Sequence, residues 1–129
     1  MFETHPPVRA FRVFRVKDGK LYPWAQNFAP MVTNHVYTAL CNVDEIDPQC
    51  SHSESVPATR CRCGFYGYKK RADAARLTTF HGNVVMAEVF LGGKLVEHDS
   101  GWRAEQMLIK KIFPAKGVHH VTVLIKLVN

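Results

Sequence analysis

Four cysteines, Cys41, Cys50, Cys61 and Cys63, fall between positions 41 and 63 and nowhere else in a chain of 129 residues. Most of that stretch, residues 42–60, is rich in Asp, Ser and Pro and has no hydrophobic period, so it reads as one long loop. A loop of this length inside a compact domain is functional or is fastened by something, and the cysteines are the fastening at hand. Zinc takes thiolate and imidazole ligands in a tetrahedron, and a structural site draws them in pairs from tight turns. Cys61-Arg62-Cys63-Gly64 is one such pair, with the glycine relieving the backbone where both sulfurs turn inward. The second pair comes from Cys41, Cys50 and His52, which leaves one candidate over. Disulfides compete with the metal, but residues 1–7 contain no apolar export segment and a reducing cytosol opposes them. Unligated cysteines buried as small hydrophobes are the other competing account.

The rest of the chain is dominated by strand patterns. Val8 to Val16 mixes β-branched and aromatic residues with Arg9, Arg12 and Arg15, and Asp18-Gly19 supplies a hairpin turn into Leu21-Tyr22. The three arginines do not keep one period, which predicts a bulge near Ala10 or Phe11. Residues 32–40 read as a strand that delivers Cys41, and residues 69–78 hold enough good helix formers for one short helix. Val84 to Leu91 reads as a strand, Gly92-Gly93 as a two-residue hairpin turn, and residues 94–98 as the returning partner. Residues 102–113 fit both periods. Ala104, Met107, Leu108, Lys111 and Ile112 make a helical stripe, whereas Met107, Ile109 and Phe113 share one face of a strand, the reading preferred here. Residues 118–128 alternate as a half-buried strand. The expectation is a single β-rich α+β domain over residues 1–129: a compact antiparallel sheet or small barrel of six to seven strands, one short helix and a zinc-clipped loop at 41–63.

With 17 Lys and Arg against 11 Asp and Glu the chain carries a formal charge of +6, which favours encounters with polyanions. No apolar run reaches the ~20 residues of a membrane span, so the expected location is the cytoplasm. Phe65, Tyr66 and Tyr68 followed by Lys69, Lys70 and Arg71 interleave rings with cations, the composition that stacks bases and neutralises phosphates. The plainer account packs Phe65 and Tyr66 in the core and leaves the three cations on the solvated first turn of a helix. Glu97, His98, Arg103 and Glu105 flank one turn, either as an acid, base and anion clamp or as a polar network that fixes the turn. No phosphate-binding glycine loop, nucleophile elbow or helical zinc-protease motif is present.

Cys41, His52, Pro57 and Cys61-Arg62-Cys63-Gly64-Phe65-Tyr66, followed by Glu88-Val89, Gly92-Gly93, Leu95-Val96-Glu97-His98 and Gly101-Trp102-Arg103-Ala104-Glu105, form an ordered pattern. It resembles a group of small proteins of unassigned function encoded by actinobacteria and their bacteriophages, over roughly residues 8 to 113. The resemblance implies Cys41, His52, Cys61 and Cys63 as the zinc ligands, with Cys50 the alternative because His52 stands farther from Pro57 than is usual in the group. The tail from Lys116 has no counterpart there. The resulting expectation is a non-enzymatic, zinc-stabilised binding module of phage or actinobacterial origin. Its basic, aromatic surface, Tyr66, Tyr68, Lys69, Lys70, Arg71 and Arg103, engages a nucleic acid or a host protein in the host cytoplasm. The alternatives are a small enzyme with a pocket around Tyr66, His98, Arg103 and Glu105, and a structural virion component.

Overall fold

The computed structural model describes residues 6–23, 30–39, 57, 63–79 and 82–113. Within them run β1 (Val8–Lys17), β2 (Lys20–Pro23), β3 (Val36–Thr38), β4 (Phe65–Tyr68), α1 (Arg71–Thr78), β5 (Val84–Glu97) and β6 (Gly101–Ile112). Every strand pairing is antiparallel. β5 pairs with β1 along one edge and β6 along the other, and β4 joins β6 to β1, which closes a small four-stranded barrel. β2 extends the free edge of β1 and β3 that of β6. The fold is therefore the β-rich small barrel that the strand patterns imply.

The β1–β2 turn is built as its residues require. Asp18 and Gly19 take φ of 51° and 76°, two successive positive values that match the twist of a tight hairpin. β1 has both faces covered. Ala10, Phe14 and Val16 join Leu21, Val85, Ala87, Val89, Leu91, Ala104, Met107 and Ile109 in the barrel interior. Phe11 and Val13 face outward, where Val84, Met86 and Ala74 of α1 cover them. The helix has no side-chain cap and only Ala74 fully buried, so packing on this outer face, not its own propensity, holds it.

Four expectations meet a correction or a boundary. Gly92-Gly93 is not a hairpin turn but lies inside the single strand β5, which turns only after His98, whose N–H donates to the Gly101 carbonyl at 2.8 Å. Gly92 pairs with Gln106 and Leu95 with Ala104, so Gly93 and Lys94 together oppose Glu105: a bulge, with Gly93 at φ 70°. The bulge expected near Ala10 or Phe11 is absent, because the register from Val8↔Leu91 to Arg15↔Val84 is unbroken. The strand expected over 32–40 is only Val36–Thr38, since the chain turns at Asn34, φ 61°. Residues 118–128 lie outside the described residues.

Candidate functional site

β4 sorts its residues by alternation. Phe65 and Gly67 face the barrel interior, where a side chain on Gly67 would meet Ala10 and Leu91 at 2.8 and 3.1 Å. Tyr66 and Tyr68 face outward with their rings edge to face, 5.2 Å between centroids. Tyr66 lies against Gly101, where a Cβ would come within 2.7 Å of its hydroxyl end, and its oxygen shares a 3.1 Å hydrogen bond with Ser100. Glycine at 101 is thus what lets the ring lie flat across the strand pair.

Arg103 stands opposite Tyr66 in the β4–β6 ladder and is only 6% exposed. Its Nε donates to His98 Nε2 at 3.0 Å, which requires the lone pair of a neutral imidazole, and one terminal nitrogen donates to the Cys63 carbonyl at 3.0 Å. The guanidinium therefore ties the β5–β6 turn to the chain entering β4. Glu105 stands apart from this group. Its Oε1 accepts the Lys94 N–H at 3.0 Å and sits over the Gly93 bulge. Of the four residues considered for a catalytic pocket, Tyr66, His98 and Arg103 are together and Glu105 fixes a bulge. The polar-network account describes these contacts.

The cations after Tyr68 divide. Lys69 turns toward the barrel end, paired with the Glu97 carboxylate and 5.0 Å from the centre of the Trp102 ring. Lys70 and Arg71 are exposed at the start of α1, and Arg71 lies 4.2 Å above the Phe113 ring, with the Lys111 ammonium 5.5 Å from the same ring. Phe113 in turn tilts against Phe11 at 6.5 Å. Outward rings thus lie on β4, at Tyr66 and Tyr68, and at the end of β6, at Phe113, which carries two cations and packs on the same outer cluster as Tyr68.

Among the expected ligands only Cys63 is described; Cys41, Cys50, His52 and Cys61 lie outside the described residues. Among the described residues no group of three or more His, Cys, Asp or Glu side chains could hold a metal. The neighbourhood of Cys63 is nonetheless defined. Gly64 takes φ 105°, a conformation reserved for glycine, and buried Pro57 approaches it so closely that a Cβ would lie 2.9 Å from the proline. The proline and the glycine of the sequence pattern, seven positions apart, are therefore in contact.

Sequence reasoning missed Arg12. It shares the inward face of β1 with Ala10 and Phe14, its terminal nitrogen 3.7 Å from Met107 Sδ and its Cζ 5.3 and 5.9 Å from the ring centres of Phe14 and Phe65. Burial alone pushes its pKa down to about 10, which still leaves the group charged at neutral pH. The signal was the arginine spacing of three against a strand period of two, since Arg9 and Arg15 share one face of an unbroken strand and Arg12 must take the other. Among the described residues no helix is long and apolar enough to cross a membrane. Comparison of the sequence with family models and curated proteins, and of the fold with solved structures, finds no match.

Proposed function

We propose that this chain is a non-enzymatic binding module of phage or actinobacterial origin. In this reading it engages nucleic acid in the host cytoplasm through the outward rings Tyr66 and Tyr68, with Lys69, Lys70 and Arg71 beside them. The observation that carries the reading is the stacking of Arg71 and Lys111 on Phe113, next to the two paired tyrosines. Rings and cations on one face serve base stacking and phosphate neutralisation together. Arg103 supports the face from beneath, engaged with His98 and the Cys63 carbonyl. The engagement of Arg103 and the placement of Glu105 at the bulge weigh against the enzyme reading.

A zinc ion on Cys41, His52, Cys61 and Cys63, with Cys50 the alternative to His52, completes the proposal. The Pro57–Gly64 contact and the Arg103 bond to Cys63 support it, because both hold the backbone beside one member of that set. Protein purified without added metal should then carry about one equivalent of zinc. Titration with random-sequence single-stranded DNA at two salt concentrations tests the surface. Binding should weaken as salt rises, and the double variant Lys70→Glu, Arg71→Glu should reduce the salt slope by about two. Binding that ignores salt, or none, would turn the same face over to a host protein.

A further inference from the structure

The rings toward the outside of this barrel are already engaged by the protein itself. Phe113 carries the Arg71 guanidinium 4.2 Å and the Lys111 ammonium 5.5 Å from its centre, and Trp102 carries the Lys69 ammonium at 5.0 Å. Phe11, itself buried, has Arg9 at 5.1 Å. Tyr66 lies across Gly101 and meets Tyr68 edge to face. A base stacks only on a ring face that is open. Of base stacking and phosphate neutralisation, the second is therefore what this surface offers to a partner.

Several of the cations lack counter-charges. Lys70, Arg71, Lys110 and Lys111 are exposed, and among the described residues none of them has a carboxylate within ion-pair distance. Glu88, opposite Lys111 in the ladder, is paired with Arg9, and Asp73, in the first turn of α1, with Arg76. Arg71 and Lys111 share one ring, so less than a Debye length, about 10 Å at 0.1 M salt, separates their charges, and they repel. Lys110 joins them through an irregularity of the strand. Glu88 pairs with Lys111 but Val89 with Ile109, so Lys110 is the extra residue of a bulge, and both lysines are exposed where a regular strand would turn one to each face. Such repulsion opposes folding and is relieved by an anion with closely spaced charges.

Resting on the nucleic-acid reading above, we propose that the partner is a double-stranded nucleic acid, held through its phosphates by Lys70 and Arg71 at the start of α1 and by Lys110 and Lys111 at the end of β6, with no base read. A duplex carries one charge per ~1.7 Å of its axis, on two strands at fixed spacing. A lone strand is less densely charged, and on this surface it forgoes the stacking that offsets its ordering. Ala74 of α1 and Phe113 pack on one cluster with Phe11, Val13, Val84 and Met86, so the helix start and the strand end hold their charges at set positions, as a stiff duplex does.

Fluorescence anisotropy of the full chain with a short labelled DNA duplex of mixed sequence, with each of its separated strands, and with A·T-rich and G·C-rich duplexes of the same length, at two salt concentrations, tests the proposal. The mixed duplex should bind at least fivefold tighter than either strand, and the two biased duplexes within threefold of each other. The double variant Lys110→Gln, Lys111→Gln should lower the duplex salt slope by about two. A single strand that binds as tightly as the duplex, a wider gap between the biased duplexes, or an unchanged slope in the variant overturns the proposal and leaves the nucleic-acid reading in place. Absence of salt-sensitive binding to every one of these DNAs removes that reading and this proposal with it. Because duplexes and strands are compared on the unaltered protein, the test stands even if the variant does not fold.

Discussion

A buried and a half-buried arginine on opposite faces of the same small barrel teach different things about desolvated charge. Arg103, on the outward face of β6, meets an imidazole nitrogen and a backbone carbonyl at hydrogen-bond distance and joins two segments that are 40 positions apart. Arg12, on the inward face of β1, meets a sulfur and two rings among the described residues. Desolvating a guanidinium is costly in both places. For Arg103 the cost is offset by polar partners fixed in advance; for Arg12 it is limited by partial solvent contact. The first arginine is thus held by polar partners within the fold, and the second lies over apolar neighbours with part of its surface in solvent.

The largest effect expected from this contrast belongs to Arg103→Met. The substitution keeps most of the side-chain volume but leaves the Cys63 carbonyl and His98 Nε2 without their donor, and a buried polar group that loses its partner costs roughly 1–3 kcal/mol. His98 is exposed and its nitrogen can turn to water, so the cost rests on the charge-assisted bond to the half-buried Cys63 carbonyl, and urea unfolding should show a loss of about 2–3 kcal/mol. A loss under about 0.5 kcal/mol would mean that Arg103 does not hold the β5–β6 turn to the start of β4, and the contrast with Arg12 would fail.

The next effect concerns the device that puts the two environments on opposite faces. Inward residues of β6 step from Ala104 to Met107, three positions instead of two, where Gly93 and Lys94 oppose Glu105. Without that irregularity, residues 103 and 107 would share a face, and Met107 could not lie beneath Arg12 while Arg103 points out. Gly93→Ala places a methyl group 2.5 Å from Glu105 Oε1 at φ 70°, so it should cost about 2 kcal/mol in the same assay. A neutral result would show that the bulge is not what fixes the register.

How much of this was legible in the sequence follows from where the chain obeys simple periods. β1, the Asp18-Gly19 turn, the short helix and the strand identity of β6 were readable because alternation and turn chemistry act locally. Gly92-Gly93 misled because a positive φ serves a hairpin turn and a bulge equally, and only the partner strand decides between them. The helical look of residues 104–112 has the same origin: the inward set Ala104, Met107, Ile109 and Ile112 contains two three-residue steps, each at a register shift with β5. At the candidate site the aromatic and basic composition was plain. That Arg103 would be buried and Lys69 engaged by Glu97 depends on long-range pairing that no local pattern carries.

The smallest effect has the opposite sign. Arg12→Met removes a desolvated charge that no described carboxylate balances, and replacing buried charges with well-packed apolar groups of similar size is often neutral or stabilising. The variant should gain about 1 kcal/mol at neutral pH. The gain should depend on pH in a defined direction. The folded-state pKa of Arg12 is lowered to about 10, so between that value and the higher ordinary guanidinium pKa the unfolded chain binds more protons than the folded one, and wild-type stability rises with pH. The advantage of Arg12→Met is therefore full below about pH 10 and shrinks above it. Paired urea titrations of the two proteins at neutral pH and above pH 10 read this directly. A loss of stability in the variant at neutral pH would show that Arg12 contributes to folding as Arg103 does, and the contrast between the two arginines would fail.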